Sequence, residues 1–276
     1  MTSRYFAEEV VMWDPHQYAL FGTHRGRPFA DLLTRVSADA PALVVDLGCG
    51  DGPLTLGLAE RWPDARIVGI DSSPQMLAAA RSLDTEGRVE WVEARAEEWS
   101  PADLGAPIDV LVTNAALQWV PGHRDLFARW VSALAPGGWF AMQVPDNFDA
   151  PSHRLMREVA ARHARAADLL PVLQRAIAVA APADYLGDLA RLGLDADVWR
   201  TAYLHVLDPA GAQRSPVLEW VTGTGLRPVL DVLTDDAERA EFLADYTAEL
   251  DRAYPRQAWG VVLEFSRIFA VGRQPG

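Results

Sequence analysis

The sequence predicts an α/β protein with a doubly wound, mostly parallel sheet and helical insertions. Strand-like apolar runs alternate with helix-like segments from residue 41 to about residue 145. Such alternation is typical of a parallel sheet with helices on both faces. A glycine-rich turn follows the first apolar run, and long helical stretches replace the alternation after Pro145. We therefore expect a core sheet to which helices have been added.

The core elements follow from the hydrophobic pattern. The run from Leu43 to Leu47 is apolar and β-branched, as expected of a strand buried on both faces. Ser73 and Pro74 mark a helix start, because serine caps a helix N-terminus and proline fits the first turn. The expected strands are 43–47, 66–70, 89–93, 108–113 and 139–144, and the expected helices are 55–61, 74–81 and 124–134, the last of them ended by Pro136, Gly137 and Gly138.

The glycine turn predicts a nucleoside-like ligand. Residues 44–52 read Val-Val-Asp-Leu-Gly-Cys-Gly-Asp-Gly, and Gly69-Ile70-Asp71 ends the next expected strand. Glycines let a ligand approach the backbone, and an acid at the end of the second strand can accept hydrogen bonds from two ribose hydroxyls. A dinucleotide site favours a third glycine where this chain has Pro53. Since Asp46 would favour a cation, we expect S-adenosylmethionine.

Composition restricts the partners. The chain has 276 residues, a net charge of −13 and one cysteine. This acidity argues against nucleic acid, which needs a basic surface, but local arginines can still bind a small anionic substrate. The apolar runs are too short to span a membrane, the N-terminus has no signal-peptide pattern, and a lone cysteine fits a reducing compartment. We expect a cytoplasmic protein without membrane contact, a monomer or weak homodimer, and no metal site, because no metal-ligand spacing occurs.

The later pattern divides the chain further. Helical stretches are expected at 153–181, 183–192 and 215–254, the last with turns at 223–225 and 227–228, and strands at 196–207 and 259–271. The expected units are an N-terminal helical arm or lid (1–40), a cofactor-binding α/β core (41–147), a helical insertion (148–182), a core continuation (183–207), a helical cap (208–258) and the last core strand with the tail (259–276). The arm and insertions would cover the carboxyl ends of the strands, where open α/β sheets bind ligands.

The chain resembles the class I S-adenosylmethionine-dependent methyltransferases, which have a Rossmann-like seven-stranded sheet, in residues 44–55, 69–77, 114–121 and 144–148. More narrowly, it resembles the trans-aconitate 2-methyltransferase family through Trp13-Asp14-Pro15 with Tyr18, and through residues 116–121, 151–153, 197–201 and 253–255. The similarity extends from about residue 12 to residue 272. It implies methyl transfer to a carboxylate of trans-aconitate, giving a monomethyl ester and S-adenosylhomocysteine. One departure is Arg95, which stands where the family usually has an acid.

These patterns together predict the site residues. The expected cofactor contacts are Trp13, Gln17, Tyr18, Asp46, Gly48, Cys49, Gly50, Asp71, Ser72, Met76, Ala96, Glu97 and Asn114. The expected substrate contacts are Arg25, His123, Tyr203 and Arg227. Trp119 and His123 are candidates for the catalytic position, although methyl transfer to a carboxylate needs only positioning. Cys49 is expected to fill tight space in the turn and not to act as a nucleophile.

Other interpretations stay open. The chain could methylate another small acid or an acyl-carrier-protein-bound malonyl group, or it could be a non-catalytic protein that binds the cofactor. Single residues have plainer roles as well, such as surface charge for Arg25 and helix packing for Trp119. A dehydrogenase is disfavoured by Pro53.

Overall fold

A single sheet of seven strands organises the chain. The computed structural model describes residues 26–175, 179–222 and 225–276. Its strands are Leu43–Leu47 (β1), Arg66–Asp71 (β2), Val89–Glu93 (β3), Ile108–Asn114 (β4), Leu134–Pro145 (β5), Asp195–Leu207 (β6) and Val261–Arg273 (β7). Their order is β3-β2-β1-β4-β5-β7-β6. Strands β1 to β5 are parallel, and β7 runs antiparallel to both β5 and β6. The predicted doubly wound, mostly parallel sheet is confirmed.

Helices connect these strands and begin where local chemistry favours them. They are Gly26–Leu33 (α1), Pro53–Arg61 (α2), Pro74–Leu83 (α3), His123–Val131 (α4), Pro151–Arg162 (α5), Ala166–Arg175 (α6), Pro182–Arg191 (α7), Pro216–Thr222 (α8), Arg227–Val232 (α9) and Asp236–Ala253 (α10). The Ser73 hydroxyl accepts a hydrogen bond from the Met76 amide at 3.3 Å, so α3 has the predicted serine cap. Among the described helices, none is long and apolar enough to span a membrane.

Two apolar layers cover the two faces of the sheet. On one face, α1 and α2 pack with inward residues such as Val44, Val112 and Phe269. On the other face, α4 and α7 supply buried aromatic side chains, including Trp130 and Tyr185. Because side chains alternate between faces along a strand, each buried strand needs apolar residues at nearly every position. This explains why β1 is buried at all five positions.

The last two strands extend beyond the rest of the sheet. β5 pairs with β7 only as far as Arg267, whereas β6 pairs with β7 along its whole length to Val261. Residues 202–207 and 261–266 therefore form a two-stranded ribbon past the carboxyl end of β5. Helices α5, α6, α8, α9 and α10 share one apolar cluster with Leu207 and Leu263 on this ribbon. The added helices thus stand on the carboxyl side of the sheet.

Several element boundaries differ from the sequence-based expectations, and three of these differences have a clear physical reason. α4 ends at Val131 and not at residue 134, since Leu134 already pairs with Ile108. Residues 136–138, where a helix stop was expected, lie inside β5. They form an irregularity in its pairing with β4, because Ile108 pairs with Leu134 whereas Val110 pairs with Trp139. Arg227 and Pro228 begin α9 and do not form a turn. Proline marks helix starts as well as turns, because a first-turn residue needs no N–H donor.

Asn147 should be a stability determinant of the β5–β7 pair. Its side chain continues the ladder past β5, accepting from the Ser266 amide at 2.8 Å and donating to the Ser266 carbonyl at 3.0 Å. Asn147→Ala removes both bonds in a buried place, so we expect the free energy of unfolding to fall by about 2 kcal/mol. Urea unfolding would measure it. Gln257→Ala, at an exposed position, is the control and should change it by less than about 0.5 kcal/mol; equal losses would contradict this role of Asn147.

Candidate functional site

The strand registers bring the predicted cofactor residues to one edge of the sheet. Leu47 at the end of β1 pairs with Ile70, so the glycine turn lies next to the end of β2. Asp71 closes β2 beside Glu93, and Asn114 closes β4 beside Gln143. The carboxyl edge of β1, β2 and β4 therefore carries the turn, an acid and an amide together.

The glycine turn needs its glycines. Gly48, Gly50 and Gly52 have φ values of +83°, +58° and +95°, a region that side-chain-bearing residues rarely adopt. A Cβ on Gly48 would lie 2.2 Å from the Cβ of Ala116, so the turn touches the loop after β4. A Cβ on Gly50 would meet nothing within 4 Å. The backbone at Gly50 thus borders open space at the carboxyl edge, as a cradle for a ligand requires.

Backbone amides of the turn already donate hydrogen bonds within the protein. Gly48 and Cys49 both donate to the Ile70 carbonyl, at 2.7 and 3.0 Å. Gly50 donates to the Asp71 carboxylate at 2.9 Å, and α2 begins with Pro53, which has no N–H. Dinucleotide sites bind a pyrophosphate through free amides at such a turn and helix start. The turn instead fits a ligand without phosphates.

Asp71 is held in a fixed orientation. One carboxylate oxygen accepts from Gly50 and the other accepts from the Ser73 amide at 2.8 Å. A carboxylate oxygen can accept two hydrogen bonds, so capacity remains for the two hydroxyls of a ribose. The helix-start role and the predicted ribose role are therefore compatible.

Negative charge dominates the turn. Asp46 is 3% exposed and accepts a hydrogen bond from the Thr55 hydroxyl at 2.6 Å. Burial raises the pKa of Asp46 to about 6, the Thr55 bond opposes this rise, and the charge of Asp71 adds to it. Burial and then the same two carboxylates raise the pKa of the Cys49 thiol, which keeps it protonated. This potential favours a cation such as a sulfonium or an ammonium, and the residues fit S-adenosylmethionine.

The loop after β3 is held by arginines. Arg129 donates to the carbonyls of Ala96 and Glu97 at 3.0 and 2.8 Å, and Arg95 forms an ion pair with Glu97 at 3.0 Å. Across from it, Ser72 and Met76 are exposed at the start of α3, with Met76 47% exposed. The adenine contacts expected of Ala96, Glu97, Ser72 and Met76 stay predictions. The charge of Arg95 is paired within the loop, because its guanidinium forms an ion pair with Glu97.

The two candidates for the catalytic position have different surroundings. Trp119 is 57% exposed on a short 3₁₀ helix, Leu117–Trp119, at the carboxyl edge. His123 is buried; its Nδ1 donates to the Val120 carbonyl at 3.1 Å and its Nε2 accepts from the Tyr185 hydroxyl at 3.0 Å. Burial lowers the pKa of His123, which favours this neutral form. While this network is intact, His123 has no nitrogen left for a substrate.

Among the described residues, no hydrogen bond, ion pair or ring contact joins the predicted substrate residues to one another. The Tyr203 hydroxyl donates to Asp31 on α1 at 2.6 Å, beneath the guanidinium of Arg27 at 5.1 Å from the ring centroid. Arg227 is exposed at the start of α9. Their contacts with a substrate remain predictions. Trp13, Gln17, Tyr18 and Arg25 lie outside the described residues, and so do the contacts expected of them.

Some residues of the edge were missed by sequence reasoning. Ala115 has φ of +52°, an unfavourable value for a non-glycine residue, and the next residue, Ala116, lies against the turn. Gln118 donates to the Ala115 carbonyl at 2.6 Å, while its Oε1 is buried without a partner among the described residues. Thr55, the partner of Asp46, lies nine residues further along the chain. Only the run of small residues after β4 signalled any of this.

Two cavities among the described residues lie away from this edge. One, of about 240 Å³, lies between α8, α10 and the start of β7 and is lined by Arg214, Ser215 and Asp251. The other, of about 550 Å³, lies at the opposite edge of the sheet and is lined by Pro107, Arg129 and Leu134. Neither includes the glycine turn, so the chemistry of the carboxyl edge locates the candidate site better than cavity volume does. Across the described ranges, no cluster of three His, Cys, Asp or Glu side chains is placed to hold a metal ion.

Comparisons with known proteins place the glycine turn inside a matched domain. Residues 44–138 match a family described as a methyltransferase domain. A trans-aconitate 2-methyltransferase of Streptomyces coelicolor is 51% identical over 95% of this chain and 87% of that protein. One of Rhodococcus jostii is 48% identical over 95% of this chain and 99% of that protein. The crystal structure of a putative methyltransferase from Bacillus halodurans has a TM-score of 0.58 at 15% identity, covering 91% of this chain and 100% of that one; it shares the fold.

The space beside Gly50 can be tested with a matched pair of variants. Gly50 and Gly87 have similar φ values, +58° and +64°, and a Cβ on either meets nothing within 4 Å. Alanine at each position should lower the free energy of unfolding by about 1 kcal/mol, since both adopt the left-handed region. Only Gly50→Ala should also weaken S-adenosylmethionine binding in calorimetry, by about tenfold or more. Equal binding by the two variants would remove Gly50 from the cradle.

The raised pKa of Asp46 predicts proton-linked binding. A nearby cation favours the ionised carboxylate, so S-adenosylmethionine should bind more tightly as the pH rises through about 6, the pKa of Asp46. Binding at this pH should release a proton, seen as a buffer-dependent enthalpy in calorimetry. The free protein should behave oppositely: a raised carboxyl pKa stabilises the fold at low pH, and this stability is lost as the pH rises from about 4 through 6. Asp46→Asn should abolish both effects, and a variant that kept them would refute the assignment.

Proposed function

Because the chain belongs to the trans-aconitate 2-methyltransferase family, we propose that it transfers a methyl group from S-adenosylmethionine to a carboxylate of trans-aconitate, or of a close tricarboxylate. The products are a monomethyl ester and S-adenosylhomocysteine. Membership rests on 51% identity over 95% of the chain. It makes this protein an S-adenosylmethionine-dependent methyltransferase, and the choice of acceptor is the proposal.

The charge of the glycine turn supports the donor most directly. The carboxylates of Asp46 and Asp71 together make the electrostatic potential at the turn negative. The amides of Gly48, Cys49 and Gly50 donate hydrogen bonds within the protein. The residues that would hold the donor are Gly48 and Gly50 at the backbone, Asp71 at the ribose, and Asn114 at the edge of β4. S-adenosylmethionine supplies an electrophilic methyl group on a sulfonium. The negative charge of the cradle would stabilise such a cationic ligand.

The reaction needs little chemistry from side chains. A carboxylic acid has a reference pKa of about 4, so the acceptor is ionised near neutral pH and requires no general base. The protein then has to align the acceptor with the methyl group and exclude water. A neutral His123 that is engaged at both nitrogens agrees with a base-free mechanism. We assign His123 to positioning the loop after β4, and exposed Trp119 to the wall of the acceptor space.

Exclusion of water is the role that we propose for the added helices. The insertions at 148–182 and 208–258 would form a lid above the carboxyl edge. The arm expected at 1–40 does not join them in its described part, because α1 packs against one face of the sheet, and residues 1–25 lie outside the described residues. Support comes from the ribbon of residues 202–207 and 261–266, which carries α8 to α10 on that side of the sheet. We also propose that the acceptor is a free cytoplasmic acid. A carrier protein would need a basic docking face, which a net charge of −13 does not favour.

A labelled-methyl assay tests this function. Purified protein with methyl-labelled S-adenosylmethionine should transfer label to trans-aconitate in preference to citrate, a fatty acid or a malonyl-loaded carrier protein, and mass spectrometry should identify a monomethyl ester. Asp71→Ala should bind the donor more weakly and show a correspondingly raised KM for it. Preference for another acid would refute the acceptor. Donor binding without transfer to any acid would favour the non-catalytic alternative.

A further inference from the structure

Two basic side chains of α5 lie against the loop that follows β5. The His153 ring contacts the Phe148 ring edge-on, with 5.8 Å between their centroids. The Arg157 guanidinium lies 3.8 Å from the Asp149 carboxylate. His153 and Arg157 are four residues apart and therefore share one side of the helix. Because Phe148 and Asp149 both belong to the loop, both basic groups lie at the end of α5 that is nearer to β5.

This loop leaves the sheet beside the donor cradle. Asn114, at the end of β4, pairs with Gln143 of β5, and the Ala115 amide donates to the Gln143 carbonyl at 2.9 Å. β5 ends two residues later at Pro145. The loops after β4 and β5 therefore start next to each other, about one strand spacing of 5 Å apart. An acid that meets the methyl group near Asn114 can extend from there toward α5.

Arg157 keeps its hydrogen-bonding capacity. Its side chain is 27% exposed, so most of it is buried, yet its guanidinium makes no hydrogen bond to a described residue. Asp149, its ion-pair partner, is fully exposed, and 3.8 Å is too long for a hydrogen bond. Exposed ion pairs of this kind contribute little to stability. An acceptor carboxylate can therefore replace Asp149 as the partner of Arg157.

His153 has one nitrogen without a partner, and this nitrogen faces Gly225. Its Nδ1 lies 3.2 Å from the Ser152 hydroxyl, whereas its Nε2 has no hydrogen-bond partner among the described residues. A Cβ on Gly225 would lie only 2.9 Å from Nε2, so a residue without a side chain leaves room beside it. Burial, and then the charge of Arg157, lower the pKa of His153 to about 4. The ring is therefore neutral near pH 7, and when Nδ1 accepts from Ser152, Nε2 carries a proton that it can donate to a carboxylate.

The start of α9 adds positive charge near this place. Arg227 is exposed and follows Gly225 by two residues, so its backbone lies within about 7 Å of Gly225. It forms no ion pair with a described residue. Local basic residues can attract a small anion even in a protein with a net charge of −13.

We propose that Arg157 and His153 bind a carboxylate of the acceptor that is not methylated. The assignment rests on the proposed function and deepens it, because it places the acceptor between the loop after β4 and the start of α5. Arg157 supplies a charge-assisted hydrogen bond, and the His153 Nε2 supplies a neutral one. This pair selects di- and tricarboxylic acids over monocarboxylic acids, because only the former retain a charged group when the reacting carboxylate faces the methyl group.

Steady-state kinetics with matched arginine variants test the assignment. Arg157→Met keeps an apolar stem and removes the charge; it should raise the KM for trans-aconitate by about 10- to 100-fold, the range of a hydrogen bond to a charged group. The kcat and the calorimetric affinity for S-adenosylmethionine should stay within about twofold of wild type, since the lost bond does not involve the reacting group. Arg154→Ala is the control and should retain the wild-type KM. Arg154 is on the same helix but donates to Glu158 at 2.6 Å.

Two further variants separate substrate binding from folding. Asp149→Asn removes the anion that competes for Arg157, so it should lower the KM for trans-aconitate by about two- to fivefold, as expected for an exposed ion pair. Loss of structure cannot produce such an improvement. His153→Ala should raise the KM by about 3- to 10-fold, the range of a neutral hydrogen bond.

Three results would overturn the assignment. They are an unchanged KM in Arg157→Met, an equal rise of the KM in Arg154→Ala, and a rise of the KM in Asp149→Asn. Failure of the proposed function is a separate outcome that is seen before any variant is made, because wild-type protein would then not methylate trans-aconitate.

Discussion

The carboxylate of Asp71 joins the two turns on which the candidate site depends. One oxygen holds the Gly50 amide and the other holds the Ser73 amide, so the turn after β1 and the start of α3 are fixed by a single side chain. The same group adds to the negative potential felt by Asp46. Asp71 therefore both fixes the backbone geometry of the cradle and contributes to its negative charge. A ligand that binds there meets a backbone whose shape has already been set.

Charged groups of both signs are buried in a protein that is strongly acidic overall. Around the turn, the buried carboxylate of Asp46 and the half-buried one of Asp71 favour a cationic donor, whereas buried Arg267 on β7 donates to Gln143 on β5. Burial strengthens each field locally, because few mobile ions and little water screen it. The net charge of −13 therefore does not exclude a small anionic acceptor. The choice of acceptor depends instead on which charged groups the sheet places on a common face.

The sequence predicted the core well, because its strands are buried on both faces and leave an unbroken apolar signal. β1 and β3 have the expected bounds, and the glycine turn lies where the motif indicated. Pairs that depend on strand order could not be predicted. Gln143 and Arg267 are 124 residues apart and meet only because β7 inserts beside β5. Similarly, Pro228 signalled a turn although it begins α9, since one residue type suits both structures.

The ribbon that carries the cap helices lies apart in the chain from the residues of the donor cradle. Residues of the donor cradle come from β1 to β4 and the loops that follow them, and the matched methyltransferase domain ends at residue 138. The helices of the cap all come afterwards. Insertions between β6 and β7 can therefore lengthen, shorten or exchange residues while the parallel strands keep their pairing. A fold arranged in this way can diversify its acceptors and inherit its donor unchanged.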